Sequence, residues 1–169
     1  MIVLENILVA TDFSESSEAA LVYGRALARQ FGGTLHVLHV VEDLPARFVG
    51  FPFHVGDVGK LQVSAEASAR ERLAAWLSTE DRAALHAQAV VITSTSPSEA
   101  ILDYARHTLP RIGLIVLGTH GRGAVGHLFM GSVAERVVRA APCPVLTVRH
   151  PEHEFVLPDA LVVTRRDDS

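Results

Sequence analysis

Cysteine is all but missing from this chain. Cys143 is alone among 169 residues, so no internal disulfide can form and a cytoplasmic setting fits best. Held between Pro142 and Pro144 at a helix-to-strand passage, it reads as a small apolar packing residue rather than a redox centre. An excess of positive charge is also lacking. The formal net charge is −4, which gives no general attraction to nucleic acid or to an acidic membrane. No apolar run approaches the ~20 residues needed to span a bilayer. The first residues lack the basic start of a secretory signal, and Glu5 interrupts what would be its apolar core. There is no Walker A lysine, no Gly-x-Ser-x-Gly elbow, and no ordered nucleophile, base and oxyanion arrangement, so no catalytic residue is assigned. Histidines are plentiful, nine in all, which raises a metal-binding protein as a further class, although structural or surface roles are the better reading. His36 and His39 would face opposite sides of a strand, and His150 with His153 would need a third ligand from elsewhere.

What is present is a single domain of ordinary apolar content, residues 1–150, large enough to bury a core, followed by an appendage over residues 151–169. Residues 6–10 read as a buried strand because Ile7, Leu8 and Val9 are continuous apolar residues. Helical spacing follows over residues 16–31 through Ala20, Tyr23, Leu27 and Phe31, and Gly32-Gly33 is a natural stop. A second strand is expected over residues 34–41. Residues 42–59, with Pro45, Gly50, Pro52, Gly56 and Gly59, read as a long loop whose Phe48, Phe51 and Phe53 are too apolar to be left wholly in water. A helix over residues 60–77 should turn Leu61, Ala65, Leu73 and Trp76 or Leu77 inward. Residues 87–93 are a third strand. Ser96-Pro-Ser-Glu99 has the form of a capping box opening a helix that ends near Thr108. Residues 114–117 form a fourth strand, residues 132–141 a helix and residues 145–148 a fifth strand. Strands apolar on both faces, alternating with helices, predict an open, doubly wound parallel α/β sheet covered on both sides.

In such sheets, ligands sit beyond the carboxyl ends of the strands. Candidates are therefore Thr11, Asp12 and Ser14 after the first strand, Glu42 and Asp43 after the second, and residues 118–132 after the fourth. The last segment carries Gly118-x-x-Gly121, nine residues, then Gly131-Ser132. Strand, glycine-rich loop and helix start are the order in which a protein aims backbone N–H groups at a phosphate. A plain flexible connection is the simpler alternative. Asp12 has two roles open to it: a helix cap, which is the simpler one, or an acceptor for the vicinal hydroxyls of a ribose. Ser132 is equally divided, since Ser132-Val-Ala-Glu135 has the form of a capping box that would use the same N–H groups as a phosphate.

The Gly118-x-x-Gly121-x9-Gly131-Ser132 spacing resembles the nucleotide-binding signature of the universal stress protein family, in its ATP-binding branch. Ile7-Leu-Val-Ala-Thr-Asp-Phe-Ser14, Leu38-His39-Val40 and Ala141-Pro-Cys-Pro-Val-Leu-Thr-Val148 are similar to other landmarks of that family, in the same order. The resemblance implies a five-stranded sheet of order 3-2-1-4-5, like the adenine nucleotide α-hydrolase fold, with strands one and four adjacent at the switch point. It implies that Asp12 contacts the ribose and that Val40 lines the adenine pocket with its backbone, flanked by Thr11 and Leu117. Gly118, Gly121, Gly131, Ser132 and Val133 would then hold ribose and phosphates. Arg122 and His127 lie within the loop and could add charged contacts to phosphate, Arg122 being equally able to stay solvated. Ala10 departs from the family, many of whose members have proline there. The expected ligand is ATP, or ADP or AMP, with Mg2+ or Mn2+ between the phosphates and no metal-binding residue of the protein's own. ATP hydrolysis would be slow at most. The residues 145–148 strand has an exposed edge that invites pairing, and the resemblance implies a homodimer there, with a tetramer as a larger assembly. Such a protein would act as a stress-response regulator. A nucleotide-free dimeric scaffold or chaperone-like protein is the alternative, and the intact glycine signature weighs against it.

Overall fold

The computed structural model describes residues 2–49, 55–119 and 130–149. Its elements run β1 (Asn6–Thr11), α1 (Glu15–Phe31), β2 (Thr34–Glu42), α2 (Leu44–Arg47), α3 (Val55–Trp76), α4 (Thr79–Ala84), β3 (Gln88–Ser94), α5 (Pro97–His107), β4 (Leu114–Gly118), α6 (Ser132–Ala140) and β5 (Val145–Val148). The strands form one parallel sheet of order β3-β2-β1-β4-β5, as expected. Central β1 is buried along its whole length, which is why its sequence shows no polar alternation. Odd-numbered Ile7 and Val9 face one layer, with Val37 and Val116 from the neighbouring strands and Ala20, Leu21, Ala28, Leu73 and Leu77 from the helical side. Leu8, Ala10, Leu38, Ile115 and Leu117 face the other, against Ile101, Leu102 and Ala105 of α5 and Ala134 and Val137 of α6. Among the described residues no helix is long and apolar enough to cross a membrane.

Several local expectations are corrected. Residues 42–59 are not all loop: β2 continues to Glu42, and Asp43 caps α2 by accepting from the Ala46 N–H at 3.0 Å. Pro45 sits in the first turn of α2, where its missing N–H costs nothing. Helix α3 begins at Val55 rather than Lys60. Phe48 is half-buried, while Phe51 and Phe53 lie outside the described residues. Leu61 is 60% exposed and Gln62 takes the inward place, because its Oε1 accepts the Leu44 N–H at 2.9 Å and ties α2 to α3. The inward stripe of α1 is Ser17, Ala20, Leu21, Gly24 and Ala28, leaving Tyr23 and Phe31 on the outside. Ser96 stands at the cap of α5 but its side chain makes no cap bond, and Glu99 instead pairs with Arg136 of α6 at 2.8 Å.

His36 and His39 do point to opposite layers. His36 is buried at the amino end of the sheet. Asn6 Nδ2 donates to the Pro110 carbonyl, so Asn6 Oδ1 faces His36 Nε2 at 3.1 Å and that nitrogen carries the proton. Nδ1 then accepts the Tyr104 hydroxyl at 2.8 Å. The neutral ring is fully satisfied, and burial holds its pKa below the usual histidine value. The unfolded chain therefore takes up a proton before the folded one does. This contribution to stability is complete above the ordinary histidine pKa of about 6.5 and is lost as pH falls below it. Thermal melts from about pH 8 to 5 should show a declining Tm that is flatter in His36→Gln. Equal slopes would show that the ring does not drive the loss.

Candidate functional site

The site begins where β1 and β4 end side by side. Ala10 pairs with Leu117, so Thr11 and Asp12 leave the sheet next to Gly118 and Thr119. After β1 the chain turns to α1 on one layer, and after β4 it reaches α6 on the other. The two connections thus lead to opposite faces of the sheet, the arrangement at which open α/β sheets take ligands. Thr11 pairs with His39, which puts Val40 one residue further out along the same edge. Val40 and Val133 are half-buried and pack on the α5/α6 layer with Ala10 and Leu117.

Asp12 is not the cap of α1. Ser14 holds that position, its Oγ accepting the Ser17 N–H at 3.4 Å. Asp12 instead fixes the cap residue: its Oδ1 accepts the Ser14 N–H at 3.0 Å and the Ser14 hydroxyl at 2.5 Å. These two bonds fix the orientation of the carboxylate. Thr11 is more fully engaged. Its hydroxyl pairs with Ser17 Oγ at 2.9 Å and accepts the Phe13 N–H at 2.9 Å, on the α1 side of the sheet. Any ligand contact of Thr11 would fall to its backbone.

Gly118 has a structural duty beside any binding one. A Cβ placed there would lie 2.6 Å from Ser16 Oγ and 2.8 Å from the Ser16 carbonyl carbon. Only glycine lets the first turn of α1 approach the end of β4 this closely. Beyond it, the Thr119 N–H donates to the Val148 carbonyl at 2.8 Å, and the Gly131 N–H donates to the Thr119 carbonyl at 2.6 Å. The two ends of the glycine-rich segment are thus fastened together at the strand edge. Gly121, Arg122 and His127, expected within the loop, lie outside the described residues, as do His150, His153 and residues 151–169.

The structure corrects the capping reading of Ser132. Gly131 is the cap residue of α6, and Ser132 is the first helical position, with its side chain exposed. Glu135 is therefore one residue too far along for a capping box and pairs with Arg139 at 2.9 Å instead. The first-turn N–H groups of Ser132, Val133 and Ala134 have no intrahelical acceptor by helix geometry, and glycine offers no side-chain oxygen to them. They add to the positive end of the α6 dipole.

Glu42 and Asp43, the candidates after β2, have local work: Glu42 pairs with Arg47 at 2.6 Å and Asp43 caps α2. Cys143 is half-buried, and burial pushes its thiol pKa up, away from the reactive thiolate. Among the described residues no group of three or more His, Cys, Asp or Glu side chains could hold a metal ion. Sequence reasoning missed Phe13, whose φ of 63° lies in the left-handed region, and the ring partners His39, Trp76 and Arg72 around it. The Asp12-Phe13-Ser14 turn gave one usable signal, a short polar pair bracketing a residue directly after a buried strand.

Residues 4–149 match the universal stress protein family. A universal stress protein of Thermus aquaticus is 37% identical over 146 residues, covering 86% of this chain and 98% of its own length. Universal stress protein UspA from Lactobacillus plantarum superposes with a TM-score of 0.69 at 28% identity, covering 87% of this chain and 99% of that one. A universal stress protein from Archaeoglobus fulgidus, solved in complex with dAMP, shares the fold at a TM-score of 0.60 and 23% identity, over 88% of this chain and 99% of its own.

Proposed function

The chain belongs to the universal stress protein family, and from that premise we propose that it is an ATP-binding member acting as a nucleotide-dependent stress-response regulator in the cytoplasm. The observation that carries this reading is the start of α6: the cap is a glycine, which offers no side-chain oxygen to the first-turn N–H groups, and the helix follows β4, whose end lies beside the end of β1 that leads to Asp12. Asp12 accepts the ribose hydroxyls, its carboxylate already oriented by Ser14. The backbone of Val40 meets adenine, with Thr11 and Leu117 beside it. Gly118, Gly121, Gly131, Ser132 and Val133 surround ribose and phosphates, and Arg122 adds charge to the phosphate end. The Ser132 hydroxyl is exposed at the first helical position, where a phosphate oxygen can use it. The dAMP held by the Archaeoglobus fulgidus protein of the same fold supports an adenine nucleotide as the class of ligand.

A divalent cation, Mg2+ or Mn2+, would accompany the nucleotide and offset its phosphate charge, with no protein ligand assigned to it. No residue is assigned as a general base, so turnover is slow at most and function comes from bound against free conformation or association. The domain comprises residues 1–150 with a C-terminal extension over residues 151–169, and β5, at the end of the strand order, supplies the edge for a homodimer or a tetramer built from it.

Purified protein, denatured and chromatographed, should release an adenine nucleotide, or, if it arrives empty, should take up ATP with Mg2+ in equilibrium dialysis. A blank in both would replace this reading with that of a nucleotide-free dimeric scaffold.

A further inference from the structure

Resting on the nucleotide reading above, we infer that Phe13 is a positioning residue, whose ring contacts with α3 and β2 hold the Asp12 carboxylate in its binding orientation. Phe13 adopts a φ of 63°, a conformation that bulky side chains take only when their surroundings enforce it. Glycine is the usual occupant of such a position. Here the enforcement comes from the ring. The His39 ring lies 4.4 Å from it, Trp76 meets it edge-on at 5.2 Å, and the Arg72 guanidinium carbon stands 3.9 Å over its centre.

The backbone is held from the same quarter. His39 Nδ1 donates to the Thr11 carbonyl at 2.8 Å, and the Phe13 N–H donates to Thr11 Oγ1 at 2.9 Å. Asp12 therefore sits between two anchored residues, and in this turn its Oδ1 meets both the N–H and the hydroxyl of Ser14. Without the ring contacts, the turn would populate conformers with a negative φ at residue 13, and the carboxylate would move with it. A ligand would then select a minor state, and its apparent Kd would rise by the reciprocal of that population. Because Arg72 and Trp76 both belong to α3, the docking of that helix on the sheet is linked to the readiness of the site.

The test is calorimetric titration with ATP and Mg2+, with thermal melts confirming that each variant is folded. Phe13→Leu keeps apolar bulk but offers no ring face to Arg72 or His39, and should weaken binding roughly tenfold. Phe13→Tyr keeps the ring and should bind as the parent does. Phe13→Gly, which takes a positive φ without help, should recover part of the leucine loss. Arg72→Met leaves the core untouched and should weaken binding about threefold. The double variant Asp12→Ala/Phe13→Leu should bind no worse than Asp12→Ala alone, since the ring acts through the carboxylate. Parental affinity in both Phe13→Leu and Arg72→Met, with Asp12→Ala impaired, would overturn the positioning role and leave the nucleotide site standing. Parental affinity in Asp12→Ala would overturn the site itself.

Discussion

Asp81→Ala is expected to lower the stability of the fold by about 3 kcal/mol, the low end of the range for removing one partner of a buried ion pair. The Asp81 side chain is 2% exposed, and Arg25 Nε donates to both of its oxygens, at 3.1 and 3.0 Å. Oδ2 also accepts the Ser78 N–H at 3.0 Å, while the Ser78 hydroxyl accepts the Asp81 N–H at 3.0 Å, a reciprocal capping box that starts α4. Burial alone would push this carboxyl pKa up, but the Arg25 and Ser78 bonds outweigh it and hold it below the ordinary aspartate value. The folded state thus favours the carboxylate. Its contribution is present above the unfolded aspartate pKa of about 3.9 and disappears as pH falls through the lower folded value. The low end of the range applies because the Arg25 side chain is 24% exposed and can partly rehydrate. Asp81→Asn, which keeps the shape, should lose less. Urea unfolding decides: a loss below about 1 kcal/mol in Asp81→Ala would mean that the pair is replaceable by water.

Gly118→Val should cost about as much, for a steric reason rather than an electrostatic one. The added Cβ would meet Ser16 Oγ at 2.6 Å, the Ser16 carbonyl carbon at 2.8 Å and Ser16 Cβ at 2.9 Å. Two of these are backbone or rigidly attached atoms, so rotating a side chain does not relieve the contact. The start of α1 and the end of β4 must part, which places the loss near 3 kcal/mol, the upper part of the overpacking range. These segments also flank the proposed nucleotide site, so ATP affinity should fall with stability. If Gly118→Val melts like the parent, α1 does not pack against β4 as described.

The parts of the fold legible in the sequence were those decided locally. The Ile7-Leu-Val9 and Leu114-Ile-Val-Leu117 runs lie on strands buried on both faces, and the order of strands and helices leaves little choice of architecture. Gly32 stops α1 in the left-handed conformation its sequence signalled, with φ 64°. What escaped depends on distant partners. Glu99 fits a capping box on paper, but Arg136 from another helix takes its carboxylate. Leu61 and Gln62 exchange places because α2, itself hidden behind Pro45, supplies a backbone donor to the glutamine. Helix α4 is a short segment whose cap uses Asp81 rather than the Glu or Gln of the usual pattern.

At the candidate site the balance is similar. Strand order places Thr11, Asp12, Leu117 and Gly118 together, as the switch-point rule requires. The cap of α6 falls on Gly131 rather than Ser132, a shift of one residue that no pattern of side chains could reveal. Likewise, the closeness of Gly118 to Ser16 and the strained turn at Phe13 are properties of packing between elements far apart in the chain.

We propose that an adenine nucleotide binds beyond the carboxyl ends of β1 and β4. The most direct test of this claim is titration of ATP with Mg2+ into the parent protein and into Asp12→Ala under identical conditions. A saturable heat near one nucleotide per chain should appear in the parent and weaken by about ten- to a hundredfold in the variant, the scale of charged hydrogen bonds to a ribose. Equal affinity in the two proteins would contradict the claim, because the nucleotide would then be bound without the carboxylate that defines the site.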